Sequence, residues 1–284
     1  MRGSRGTAAA LVLGGIVSVQ VGAAIATTLF DEVGPGGAVF LRIFFAAIVL
    51  LLIWRPALRL PEAGAKDVLA LGLILGLMNL SFYESLDRIP LGIAVTLEFV
   101  GPLTVAVIGS RRRLDLLWVA LAAAGLLLLS PLPGSDLDAL GCVFALFAGL
   151  CWGLYIPVTA RVGRALPGGG GLAIAMVIAA AVTLPIGVID GGGDLLGSEL
   201  LLIAFGVAIL SSAIPYSFEL EALRRLPQST FGVLMSLEPA VAATAGLVLL
   251  SQDLSAREVV AIGLVLAASA GALSEAGRAN PQPP

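Results

Sequence analysis

Residues 84–109, ESLDRIPLGIAVTLEFVGPLTVAVIG, and residues 221–246, EALRRLPQSTFGVLMSLEPAVAATAG, carry one motif twice, 137 positions apart. Glu84 aligns with Glu221, Leu86 with Leu223, Arg88 with Arg225 and Pro90 with Pro227. Leu97 then aligns with Leu234, Pro102 with Pro239 and Gly109 with Gly246. Each copy opens on a Glu-x-x-x-Arg pair ahead of a proline. Each continues as a mainly apolar run of about the 20 residues that a helix needs to cross hydrocarbon. The chain is therefore read as two related halves, both built for a bilayer.

Composition agrees. Of 284 residues, 58% are hydrophobic and only 12% charged, with a mean hydropathy of +1.04. An average soluble domain carries roughly twice that charge. This excludes an ordinary soluble enzyme, a disordered chain and a nucleic-acid binder with a broad basic face. There is no His, which removes His-based triads, zinc sites and His proton relays. No phosphate-binding loop is found, since the run Gly168 to Gly171 lacks the Lys and Ser/Thr that such a loop needs. That run is read as a flexible connection between helices. Cys142 and Cys151 lie about 13 Å apart along one helix, too far for a disulfide. Neither a cofactor nor a metal is expected.

Ten apolar segments follow one another, at 8–29, 37–54, 67–86, 90–110, 114–132, 138–160, 170–190, 198–222, 227–250 and 256–274. The connections are too short to hold a soluble domain. The first segment is long and precedes many others, so it reads as a span and not as a cleaved signal. With the N-terminus inside, only Arg88 and Arg257 of the 16 basic residues fall outside, while Arg42 sits within a span. This is the expected bias of Lys and Arg to the cytoplasmic side. Losing one span would invert every later loop and destroy the bias. Both termini are thus expected in the cytoplasm. Five spans per half is an odd number, so the halves, 1–134 and 135–275 ahead of a tail at 276–284, should lie inverted in the membrane. The expected fold is all-α, ten transmembrane helices in two inverted five-helix repeats. Inverted repeats are typical of secondary transporters that hold substrate near the midplane.

The stretch LEFVGPL at 97–103, with Ser110, Arg111 and Arg112 after it, resembles the threonine/homoserine exporter branch of the EamA transporters. So does 211–250, with IPYSFELEALRRLP and then TFGVLMSLEPAVAA, and so does Leu41-Arg42-Ile43. EamA transporters belong to the drug/metabolite transporter superfamily. The resemblance covers nearly the whole chain. It implies ten helices in two inverted halves, an inner-membrane location, and efflux of small amino acids coupled to protons. Partners would be the bilayer, a small zwitterion and protons, with no nucleic acid, in a monomer or homodimer. Another metabolite or a drug is the alternative cargo. A channel is the rival outside the carrier class, and a membrane enzyme is disfavoured because no Asp lies at mid-span.

A charge at membrane depth is costly and usually faces a cavity or a partner. Glu98 lies about 12 Å from the outer end of the fourth span. Pro102 cannot donate to the Glu98 carbonyl, so a carboxylate and a bare carbonyl stand together, suited to an ammonium or a proton. Glu238, ahead of Pro239, is the ninth-span acid; the repeat aligns it with Gly101 and not with Glu98. Arg42 could clamp a carboxylate with parallel hydrogen bonds, pair with Glu98, or snorkel to the headgroups. Glu84–Arg88 and Glu221–Arg225 have the spacing of helix-end ion pairs. Asn79 and Tyr83 share a face, as do Ser212, Tyr216 and Glu219, then Cys151, Tyr155 and Thr159, then Gln20 and Thr27. The candidate substrate-binding or proton-coupling residues are Glu98, Glu238, Arg42, Asn79, Tyr83, Tyr155, Tyr216 and Gln20. Gly72-xxx-Gly76 and Gly149-xxx-Gly153 should allow close helix packing.

Overall fold

The protein was analysed as a computed structural model that describes residues 2–56, 62–89, 91–110, 112–129, 138–238, 241 and 256–279. The expected half boundary at 134/135, Pro239, the end of the ninth segment and residues 280–284 lie outside these, as does the side chain of Thr27. Among the described residues all regular elements are helical. They are α1 (Arg2–Trp54), α2 (Glu62–Leu86), α3 (Leu91–Glu98), α4 (Val100–Gly109), α5 (Arg113–Leu129) and α6 (Ala139–Ala165). Then come α7 (Gly170–Gly191), a 3-10 turn (Gly192–Leu196), α8 (Ser198–Ala208), a π-turn (Ile209–Ala213), α9 (Ile214–Leu223), α10 (Gln228–Met235) and α11 (Ala256–Ala279).

Five stretches are long and apolar enough to cross a membrane: Glu32–Trp54, Gly64–Leu86, Ala139–Ala165, Gly170–Leu196 and Glu199–Leu223. Gly6–Gly22, Val100–Gly109 and Val259–Ala272 are apolar but shorter. Their surfaces suit lipid. On α1, Leu13, Val17, Val21 and Ile25 form an exposed stripe, whereas Ala8, Val12 and Ile16 face inward. On α6, Leu150 is 57% exposed beside a fully buried Ala148. An apolar exterior over a small-residue interior is the reverse of a soluble helix and the pattern of packed membrane helices.

The two arms of α1 meet at Gly34, whose φ of 66° lies in the left-handed region that glycine tolerates. Pro35 follows and cannot continue the first arm's hydrogen bonding. The chain reverses here. Gly14 and Gly22 pack on Phe218 and Ser211, so the first arm runs antiparallel to α8 and α9. Gly36, Phe40 and Trp54 meet Asp190, Gly187 and Gly169, so the second arm runs antiparallel to α7. The Asp190 carboxylate accepts from the Gly36 N–H at 3.0 Å, capping an N-terminal donor of the second arm.

Glycine sets the other approaches. Gly72 and Gly76 of α2 lie against Ala175, Ile178, Ala179 and Val182 of α7. Gly101 lies against the backbone of Gly149 and Gly153, and a Cβ on Gly149 would stand 2.6 Å from the Glu98 carbonyl oxygen. The fourth apolar segment, expected as one helix, breaks at Phe99 (φ −64°, ψ −13°) between α3 and α4. Exactly one repeat later, α10 ends at Ser236 with φ −64° and ψ −9°. Each break stands three residues before a proline, Pro102 or Pro239. The ring removes the donor to the fourth residue back and crowds that residue's carbonyl.

The run Gly168 to Gly171 departs from its reading as a flexible connection. Gly168 adopts φ 63° and packs, with Gly169, against the Trp54 ring. Arg224 donates to the carbonyls of Gly163 (2.8 Å), Leu166 (2.8 Å) and Gly168 (2.5 Å). The turn is held because its carbonyls, the orphan acceptors of a helix end, are claimed by one guanidinium. Cys142 and Cys151 are free thiols.

Gly101→Ala should lower stability by about 1–3 kcal/mol, because the methyl meets backbone and not a movable side chain. Gly206→Ala, where nothing lies within 4 Å, should be neutral or stabilising by up to ~1 kcal/mol. Thermal unfolding of the two variants in detergent measures the difference.

Candidate functional site

A buried polar cluster lies where the second arm of α1, α2, α6 and α9 converge. Arg42 is 7% exposed and points inward, so the snorkelling alternative does not hold. Its Nη2 donates to Asn79 Oδ1, and the guanidinium carbon lies 4.9 Å from the centre of the Tyr83 ring. This combines a charge-assisted hydrogen bond with a cation–π contact. Asn79 Nδ2 donates to the Leu75 carbonyl at 2.7 Å. Between the Asn79 amide and the Tyr216 hydroxyl two geometries are available, Nδ2 to Oη at 2.9 Å and Oη to Oδ1 at 3.1 Å. The Tyr216 ring centre lies 5.9 Å from that of Tyr155.

Asn79 and Tyr216 are 137 residues apart. They are equivalents under the repeat, joined directly to one another. Spans that the repeat pairs also meet: Pro102, in the fourth apolar segment, lies against Gly232, in the ninth, and Gly125 of α5 lies against Ala261 and Val265 of α11.

The two acids complete the cluster. Glu98, 8% exposed, ends α3 beside the Phe99 break. It lies within electrostatic reach of Arg42 and Glu238, yet forms no ion pair with Arg42 among the described residues. Gln20 Nε2 donates to Glu238 Oε1 at 3.5 Å, bringing the first arm of α1 to the residue just beyond α10. The Arg42 Nε has no hydrogen-bond partner. An incompletely satisfied guanidinium beside an unpaired carboxylate is an expensive arrangement for a structural core.

Gln20, Arg42, Asn79, Tyr83, Glu98, Tyr155, Tyr216 and Glu238 thus fall in one connected region. The i,i+4 pairs lie elsewhere: Arg88–Glu84 at 3.3 Å and Arg225–Glu221 at 2.5 Å sit at helix ends. The sequence marks Glu219 as a face companion of Ser212 and Tyr216 and not as a site residue. It is 6% exposed and lies against the Tyr155 hydroxyl. The i,i+4,i+7 face of Ser212, Tyr216 and Glu219 was its signal; which helix that face met was not in the sequence.

Residues 139–274 match the EamA-like transporter family. The chain is 43% identical over 265 residues to the threonine/homoserine exporter RhtA of Escherichia coli (strain K12), covering 92% of this chain and 89% of that protein. It is 43% identical over 258 residues to the threonine/homoserine exporter RhtA of Salmonella typhimurium (strain LT2), covering 89% and 87%.

The chain belongs to the EamA-like transporter family.

It is a multi-pass membrane protein of a transporter family, and its relatives are exporters and not enzymes. A solved crystal structure superimposes with a TM-score of 0.79 at 18% identity, over 97% of this chain and 99% of that one, which establishes the shared fold. An EamA-like transporter needs an aqueous approach to its interior. A cavity of about 690 Å³ opens between α4, α5, α6, α10 and α11, lined by Ser110, Arg112, Arg164, Gln228 and Thr230 among others. It lies at the arginine-bearing helix ends and not among the Arg42 cluster.

Asn79→Leu should destabilise the protein by about 1–3 kcal/mol, since it leaves the buried guanidinium without its acceptor. Tyr216→Phe should cost about 0.5–1.5 kcal/mol. The double variant should cost less than the two losses together, because both remove one shared bond. Thermal unfolding of the four proteins tests this cycle.

Proposed function

We propose that this protein exports small zwitterionic amino acids, threonine and homoserine among them, across the inner membrane by alternating access in exchange for protons. The observation that carries the reading is the pair of buried opposite charges, Arg42 and Glu98, that stand near each other without an ion pair. An α-amino acid carries the same two charges on one carbon. Its carboxylate would take the open Nε edge of Arg42, and its ammonium the carboxylate of Glu98. Asn79, Tyr83, Tyr155 and Tyr216 would wall the site, with Gln20 and Glu238 on its far side. A cationic drug would gain nothing from Arg42, and an anion nothing from the acids. The names of the relatives support the substrate class.

The assembly proposed is ten spans in two inverted halves, 1–134 and 135–275, with both termini in the cytoplasm. Support comes from the antiparallel meeting of repeat equivalents and from the matching breaks at Phe99 and Ser236. Alternating access would rock the halves about the Asn79–Tyr216 contact, which joins them.

Radiolabelled threonine efflux from loaded proteoliposomes, with and without a pH gradient, tests the proposal. Wild type should show gradient-stimulated efflux. Glu98→Gln and Arg42→Gln should each lose one charge-assisted contact, about 1.5–3 kcal/mol or roughly tenfold and more in apparent affinity. Folded wild-type protein that moves neither threonine nor homoserine would overturn the substrate assignment.

A further inference from the structure

A second polar cluster lies one helical turn from the first, on the facing surfaces of α6 and α9. Glu219 is 6% exposed, while Tyr155 and Thr159 are fully buried. Glu219 and Thr159 are both within reach of the Tyr155 hydroxyl. Neither that hydroxyl nor the Thr159 Oγ1 has a hydrogen-bond partner of ordinary geometry. Ser212, two turns back on the same face as Glu219, is also buried with an unpartnered hydroxyl. Buried hydroxyls without partners are uncommon, and each calls for a reason.

The chemistry differs from that around Arg42. No basic side chain pairs with Glu219 among the described residues. The titratable groups that bear on it are Tyr155 from α6, Tyr216 on its own helix and Glu238 beyond α10. From α1, Gly14 and Gly15 meet the apolar Phe218 and Pro215. Farther along, Glu221 is already engaged by Arg224 and Arg225. What remains is one carboxylate with a set of neutral oxygens, closed to solvent. A buried charge must be paired. Oxygen ligands with one negative charge suit a single small cation.

We infer that Glu219, with Tyr155 and Thr159, seats the coupling cation of the transport cycle, a proton or Na⁺, beside the amino-acid cluster around Arg42 and Glu98, with Tyr155 as the shared wall. This rests on the exporter reading above and refines it. With the substrate ammonium on Glu98, the coupling ion takes a carboxylate of its own. The two seats are in physical contact: Tyr155 packs on Tyr216, and Tyr216 bonds Asn79, the acceptor of Arg42. Occupancy of one therefore bears on the side chains of the other. The helix that carries Glu219 is interrupted by the π-turn at Ile209–Ala213, a local irregularity that recurs at functional sites.

Infrared difference spectra of purified protein between acidic and alkaline buffer read the seat without any substrate. A carboxylic-acid carbonyl band should titrate in wild type and be missing in Glu219→Gln. Tyr155→Phe should keep the band and move its midpoint. Added Na⁺ at fixed pH separates the two ions: loss of the band identifies a seat that Na⁺ shares, and an unchanged band identifies a proton seat. In proteoliposomes, Glu219→Gln should keep threonine–threonine exchange near wild type, which needs no gradient, and lose gradient-driven flux. Glu98→Gln should lose both. An unchanged band together with wild-type gradient-driven flux in Glu219→Gln overturns the inference. Loss of exchange along with gradient-driven flux in folded Glu219→Gln overturns it too, by placing Glu219 in the amino-acid site. If wild type moves no threonine, the exporter reading fails, and the spectra alone decide the cation seat.

Discussion

A guanidinium buried in an apolar helical interior must be held by other groups, and the hold on Arg42 organises the centre of this protein. Asn79 accepts from it and Tyr83 lies under it. Asn79 is spent in turn on Tyr216 and on its own helix's backbone. These contacts tie the second arm of α1 to α2, and α2 to α9. Asn79 and Tyr216 are 137 positions apart, the spacing of the sequence repeat, so the same bond that satisfies the charge also joins distant parts of the chain. A structural core would be completed there. Here it stops short, with the Arg42 Nε open and Glu98 held near but unpaired.

Backbone approach makes this closeness possible. Gly101, Gly149 and Gly153 let α4 and α6 touch through main chain, which carries Glu98 against α6. Gly72 and Gly76 do the same for α2 on α7. In lipid there is little hydrophobic gain from pressing two apolar helices together, so contact area and hydrogen bonds decide the packing. Prolines add the complementary effect. At Pro102 and Pro239 a helical donor is missing, and the breaks at Phe99 and Ser236 follow in nearly the same backbone geometry. The break at Phe99 adjoins the buried Glu98, and Ser236 lies two residues before the half-buried Glu238. The candidate acids thus stand where the helix is already weakened.

Helix-end charges contribute in another way. Arg224 gathers three carbonyls at the end of α6 and its turn, and Asp190 caps the reversal at Gly34. These bonds keep the ends of the helices ordered while the interior retains unmet polar groups. That division fits the proposed passage of cargo through the centre.

Much of this was legible along the chain. Apolar length, the scarcity of charge and the distribution of arginine point to a bilayer, because each depends only on local composition. The repeat marked Pro102 and Pro239, and the cost of a buried charge marked Glu98, Glu238 and Arg42. The partners of those charges were not legible. That Arg42 meets Asn79 and not Glu98, that Glu219 faces Tyr155, and that Gly168 is clasped by Arg224 depend on the rotation and depth of whole helices. Glycine contacts between distant segments set both, and a single turn of rotation would exchange one partner for another. Apolar segments around a few ionisable residues are enough to bury those charges in membrane helices; which of them meet is set by the packed helices, since side-chain pairing across helices is a property of packing and not of any one segment.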